Sequence, residues 1–162
     1  MKTIIIRLIL ITLIFLNFAI TFGFSGQTGT ESSGISRKVT LLILNVFGDY
    51  DKPLTEEKEL FVKNAEHIVR KLAHFSIYTI LGMLLMGLAS TFNISTAKRI
   101  LTSLVGGLEY ASLDEFHQSF IPGRTAMITD VLIDTAGIIM GILIIFGITK
   151  IYNNYERNKR TN

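Results

Sequence analysis

Between residues 108 and 130 the chain reads LEYASLDEFHQSFIPGRTAMITD, which sets four carboxylates, a His, a Gln and an Arg between two apolar runs. Three kinds of chemistry are open to such groups. Arg124, with Arg70 and Lys71 upstream, can hold an anion such as a phosphate, Arg serving as a planar bidentate donor. His74, Glu115, His117, Asp130 and Asp134 offer imidazole and carboxylate donors of the kind several divalent ions accept. His74, oriented by a carboxylate, can also act as a general base. Each reading has a plainer counterpart. The cations can neutralise Asp114, Glu115, Asp130 and Asp134 in a structural salt-bridge network. No ligand spacing such as H-E-x-x-H occurs, and no Ser or Cys nucleophile in a recognisable turn accompanies His74. No metal and no cofactor are expected.

Helical spacing draws these residues together. Lys71, His74 and Tyr78 fall at i, i+3 and i+7, on one helix face. Asp114 or Glu115 shares a face with Gln118. Asp130, Asp134, Gly137 and Gly141 fall at i, i+4, i+7 and i+11, a polar stripe that turns into a GxxxG. Ser103, Gly107 and Ala111 repeat at spacing four. Small residues at this spacing let helices approach closely, so the segments around 100–116 and 131–148 are expected to pair tightly beneath a polar pocket. The connection between them, SFIPGRT, carries Arg124 just after a Pro-Gly turn.

The elements that must position these groups are apolar. Of 162 residues 49% are hydrophobic and only 18% charged, against about a quarter charged in ordinary soluble domains. No Cys occurs, which excludes a disulfide framework and a thiolate metal site. A helix crosses a bilayer with roughly 20 apolar residues, and four segments qualify: 3–24, 75–92, 100–116 and 131–148. The first contains Arg7 and has no small-residue pair for signal cleavage; a retained span is expected. The third carries Glu109, Asp114 and Glu115, and the fourth Asp134. Acids at such depth are costly and are functional candidates by default. The expected fold is all-α, a single domain forming an integral membrane four-helix bundle with an extracytoplasmic amphipathic segment, 25–74, between its first and second spans.

Within that segment SGQTGTESSGISRK reads as loop, and the nine-residue apolar piece 39–47 as a short helix on the membrane surface or the bundle. A turn is expected over 49–53. Thr55, followed by Glu56 and Glu57, marks a helix start. Leu60, Ala65, Ile68 and Leu72 give that helix an apolar face, and it is expected to run into the second span as a lid over the pocket. Orientation follows the bases in short loops. Lys98 and Arg99, in the short 93–99 loop, place that loop, both termini and the 149–162 tail in the cytoplasm, and the acidic cluster outside.

The joint order RKLAHFSIY (70–78), DEFHQSFIPGR (114–124) and DVLIDTAGIIMG (130–141), with FSGQTGTESSGIS (24–36) after the first span, resembles the VanZ-like family of small bacterial membrane proteins over residues 4–148. The resemblance implies a polytopic protein of the bacterial plasma membrane, linked through the family's namesake to reduced teicoplanin susceptibility. It implies no mechanism. The expected partners are the bilayer and an anionic lipid or lipid-linked cell-wall precursor, with no nucleic acid. A binding role is expected, with Arg70, Lys71 and Arg124 on the anion, Glu115, Gln118 and Asp130 orienting them, His74 and Tyr78 on the wall, and Asp114 and Asp134 also at the site. Two alternatives are an enzyme acting on lipid-linked intermediates, with His74 or Glu115 as acid/base and a metal on Asp130 and Asp134, and a structural scaffold.

Overall fold

A computed structural model describes residues 1–48, 50 and 55–161, the side chains of the last two excepted. Among them are five helices and no strand: α1 (Lys2–Ser25), α2 (Gly29–Leu44), α3 (Glu56–Ser90), α4 (Thr96–Gln118) and α5 (Ile128–Thr161). The turn expected over 49–53 lies outside the described residues except for Tyr50. Among the described residues α1, α3 and α5 are long and apolar enough to cross a membrane. α4, the third expected span, is not in that class, because its 23 residues include Lys98, Arg99, Glu109, Asp114 and Glu115.

α2 corrects the loop expected after the first span. A single helix starts at Gly29 because Thr28 and Glu31 form a capping box. The Glu31 N–H donates to the Thr28 hydroxyl at 3.3 Å and the Thr28 N–H to the Glu31 carboxylate at 2.9 Å, so two orphan donors of the first turn are satisfied. The bond from Thr28 holds the Glu31 carboxyl below its usual value. Ser and Thr are poor loop evidence where one of them can cap.

α3 starts after Thr55 as expected, although the Thr55 hydroxyl makes no cap bond. Glu56, Glu57 and Glu59 supply the negative charge its first turn favours. Its 35 residues run unbroken, about 52 Å at 1.5 Å per residue, against about 30 Å of hydrocarbon. The amphipathic 56–74 stretch is therefore the projecting end of the second span. α2 lies against that end: Arg37 donates to both oxygens of Glu59 at 2.7 and 2.8 Å and to Glu66 at 3.1 Å. The face of α2 made by Ser32, Ser36 and Thr40 is buried, while Leu42, Ile43, Val46 and Phe47 are exposed.

The glycine stripe of α5 packs on α3, not on α4 as its spacing suggested. A Cβ on Gly137 would run into the backbone of Phe75 and Thr79, and one on Gly141 into that of Thr79, Gly82 and Met83. Gly82 answers from α3, where a Cβ would overlap Ile138. The Gly107 side of α4 meets the Ile138 side chain instead, so Ser103, Gly107 and Ala111, all buried, seat α4 on the α3–α5 pair. Sequence spacing shows that a helix face is small; it does not show which neighbour fills it.

α1 is held along its length. Arg7 donates to the Thr91 carbonyl at 2.8 Å and hydroxyl at 3.0 Å and lies over the Phe92 ring, setting its charge at the C-terminus of α3 where a cation is favoured. Buried Asn17 donates to the Ile77 carbonyl at 3.3 Å, and Tyr110 donates to the Phe18 carbonyl at 3.0 Å. Arg7 thus meets the end of α3, while the other end of α1 meets the 119–127 loop.

Candidate functional site

Where α1 ends, α3 projects and α5 begins, a cavity of about 200 Å³ is lined by His67, Arg70, Lys71, His74, Gln118, Arg124, Asp130 and Asp134, among others. Seven of the ten residues expected at the site line this cavity, and Asp114 and Glu115 hydrogen-bond to Gln118 and Met127, which also line it. On the α3–α5 side, Lys71 Nζ lies 3.2 Å from Asp130 Oδ1, and His74 Nδ1 lies 3.6 Å from Asp134 Oδ1. The polar half of the α5 stripe therefore faces α3, as its glycine half does. His74 also stacks parallel to the Tyr78 ring, 6.4 Å between centroids.

α4 supplies the floor. Asp114 is 4% exposed, and its Oδ2 accepts the Tyr78 hydroxyl and the Gln118 amide, both at 3.0 Å. Gln118 returns its carbonyl to Arg124 Nη1 at 2.9 Å. Asp114, rather than Glu115, is the acid that shares the Gln118 face. Glu115 turns to the loop instead and accepts the Met127 N–H at 2.6 Å, fixing the chain just before α5.

Arg124 has a role that spacing did not reveal. Besides Gln118, it donates from Nε to the Gln27 carbonyl at 2.9 Å and from Nη2 to the Phe24 carbonyl at 2.9 Å. These are carbonyls at the end of α1, so one guanidinium ties the 119–127 loop to the α1–α2 junction. Gly123, with φ +75°, makes the approach possible, since Gly29 donates to the Pro122 carbonyl at 3.1 Å and a Cβ on Gly29 would overlap the Gly123 backbone. Burial, followed by the nearby charge of Arg70, pushes the Arg124 guanidinium below its usual value. Arg70 keeps more freedom: Nη2 donates to Ser33 at 2.9 Å and Nε reaches Ser36 at 3.5 Å.

A second hollow of about 270 Å³ adjoins the first. It is largely apolar, bounded by Phe24, Ile35, Val39, Val69, Ala73 and Ile77, and it shares Arg70, His74 and Arg124 with the polar cavity. Beneath the polar cavity, one donor atom from each of His74, Asp114 and Asp134 lies within 4.8 Å of the others. The metal set expected from Asp130 with Asp134 is not the one assembled, because Asp130 is drawn to Lys71.

A family model described as VanZ/LLP1 matches residues 7–150. The chain belongs to the VanZ/LLP1 family. No curated protein and no solved structure matches it. In this VanZ-family pocket, sequence reasoning missed His67, which lines the cavity one helical turn before Lys71. The i, i+4, i+7 relation of His67 to Lys71 and His74 was available as a signal. The carbonyls of Phe24 and Gln27 carried no signal, since a main-chain acceptor looks the same at every position. His117, considered as a metal donor, stacks on Phe22 of α1 at 4.3 Å.

Proposed function

We propose that this VanZ-family chain is a multi-pass protein of the bacterial plasma membrane that binds an anionic lipid, or a lipid-linked cell-wall precursor, with the headgroup in the polar cavity and the chain in the adjoining groove. The observation that carries the reading is the sharing of Arg70, His74 and Arg124 between a polar cavity and an apolar hollow. An amphiphile needs such a junction, and a free ion does not. Three formal cations, Arg70, Lys71 and Arg124, line the cavity against two carboxylates, Asp130 and Asp134. Arg124 is committed to three acceptors, so the anion is contacted by Arg70 and by the Lys71 donors left over from Asp130, while Arg124 holds the wall.

In this reading α4 crosses the membrane with α1, α3 and α5 as a four-helix bundle. Asp114 and Glu115 are tolerated there because they face protein, whereas Glu109 lies on the exposed side of α4. Both termini lie in the cytoplasm, the cavity opens outward, and α2 with the start of α3 forms the extracytoplasmic segment. The cell-level consequence is a change in susceptibility to teicoplanin, a lipid-bearing drug that acts at that surface.

Tests of binding and of topology bear on the proposal. The first is native mass spectrometry of the purified chain. It should retain phosphatidylglycerol in preference to phosphatidylcholine, and Arg70→Ala with Lys71→Ala should remove the preference while leaving the protein folded. Expressed in a Gram-positive host at matched membrane levels, the wild type should shift teicoplanin but not vancomycin susceptibility, and the double variant should not. A change in the mass of added lipid-linked precursors would replace the binding role with an enzymatic one. The second uses the absence of native Cys. Single Cys at positions 30 and 121 should react with an impermeant reagent from outside, and at 97 and 158 should not. Labelling at 97 would reverse the orientation.

A further inference from the structure

The floor of the cavity has an electrostatic imbalance that the headgroup reading does not use. Asp114 and Asp134, on different helices, are 4% and 1% exposed, and each has one buried carboxylate oxygen, Oδ1, without a hydrogen bond, that of Asp134 facing His74 Nδ1 at 3.6 Å. Buried carboxylates this close cannot both ionise without a cation. Around them the cations are engaged elsewhere: Lys71 with Asp130, Arg124 with Gln118, Gln27 and Phe24, and Arg70 with Ser33 and Ser36 of α2. A protonated His74, 3.6 Å from Asp134, would supply one positive charge against two negative ones.

We infer that His74, Asp114 and Asp134 bind a first-row divalent cation of the manganese, iron or zinc type. A dication with neutral imidazole balances the two carboxylates. The donors lie within 4.8 Å of one another, a small rotamer adjustment from the roughly 3–4 Å separations that ligands around such an ion keep. One nitrogen and two carboxylate oxygens form a donor set that suits these metals better than magnesium, which prefers oxygen and retains its water. The surroundings of Asp114 are those of a ligating carboxylate. Tyr78 and Gln118 both donate to its Oδ2, which leaves Oδ1 for the ion, and carboxylate ligands are usually oriented by such outer hydrogen bonds. His74 and Asp134 also line the cavity, so coordination positions not taken by protein face its interior. This site does not depend on the headgroup reading.

The probe is Mn²⁺ alone, added to full-length, chelator-stripped protein in detergent and followed by the loss of the free-ion electron paramagnetic resonance signal. Wild type should take up one Mn²⁺ per chain, release it to Zn²⁺, and unfold at a higher temperature with metal than without. His74→Ala and Asp134→Asn should each weaken binding at least tenfold. Glu109→Gln, on the exposed side of α4, should bind as wild type does. Wild-type protein that takes up neither ion at millimolar concentration would overturn the site, whatever the variants do. So would an Asp134→Asn chain that becomes more heat-stable in the absence of metal, which would mean the carboxyl pair is held by a proton.

Discussion

The charges between α2 and the projecting end of α3 differ from those beneath the cavity. On the arm, Arg37 meets Glu59 through two parallel bonds and Glu66 through a third, and the Glu59 carboxylate holds the guanidinium above its usual value. There one guanidinium is shared by two carboxylates, in partial contact with solvent. Under the cavity Asp114 and Asp134 are almost fully covered and only partly matched. The arm can be explained by adhesion alone. On the cavity floor a buried carboxylate oxygen without a hydrogen-bond partner runs against stability, and it is there that the proposed cation would act. Matching, more than the number of charges, separates a fastening from a site.

The largest expected effect falls on the residue that belongs to both categories. Arg124→Ala strands the Gln118, Gln27 and Phe24 oxygens at once and should cost on the order of 3 kcal/mol, read as a lowered unfolding temperature and reduced membrane abundance. A chain of normal abundance that had lost only ligand binding would show instead that Arg124 acts on the ligand. Next comes Tyr78→Phe, which removes one donor from Asp114 in a closed environment and should cost about 1–2 kcal/mol. If the metal site is right, the same variant should also weaken Mn²⁺ binding, because Asp114 loses an orienting bond. The smallest effect is on the arm: Arg37→Ala should lower stability by less than about 1 kcal/mol, and added salt should reduce the difference further. A larger loss would mean that α2 is held mainly by that arginine and would remove the contrast between the regions.

Much of this arrangement was legible in the residues. The i, i+3, i+7 run of Lys71, His74 and Tyr78 and the polar-to-glycine stripe beginning at Asp130 each predicted a face, and both faces exist. Periodicity within a helix is local and survives folding unchanged. Which faces meet is not local. The stripe of Gly137 and Gly141 was expected against 100–116 and instead meets Phe75, Thr79 and Gly82. The first part of α2, before the short helix expected over 39–47, was missed for a different reason: Ser, Thr and Gly describe a loop and a capped helix start about equally well until the Thr28–Glu31 pair is recognised. The double use of Arg124 was invisible because two of its three acceptors are main-chain carbonyls, about a hundred residues away in sequence.

The glycine contact between α3 and α5 also limits how the molecule can move. With main chain against main chain at Gly82, Gly137 and Gly141, there is no layer of side chains to act as a bearing, and the pair shifts as one piece. Lys71 and His74 on one helix, and Asp130 and Asp134 on the other, therefore keep a fixed spacing like the jaws of a locked caliper. Anything too bulky for the hollow would have to displace the opposite wall, where α1 and α2 are fastened by polar side chains such as Asn17, Arg37, Arg70 and Arg124.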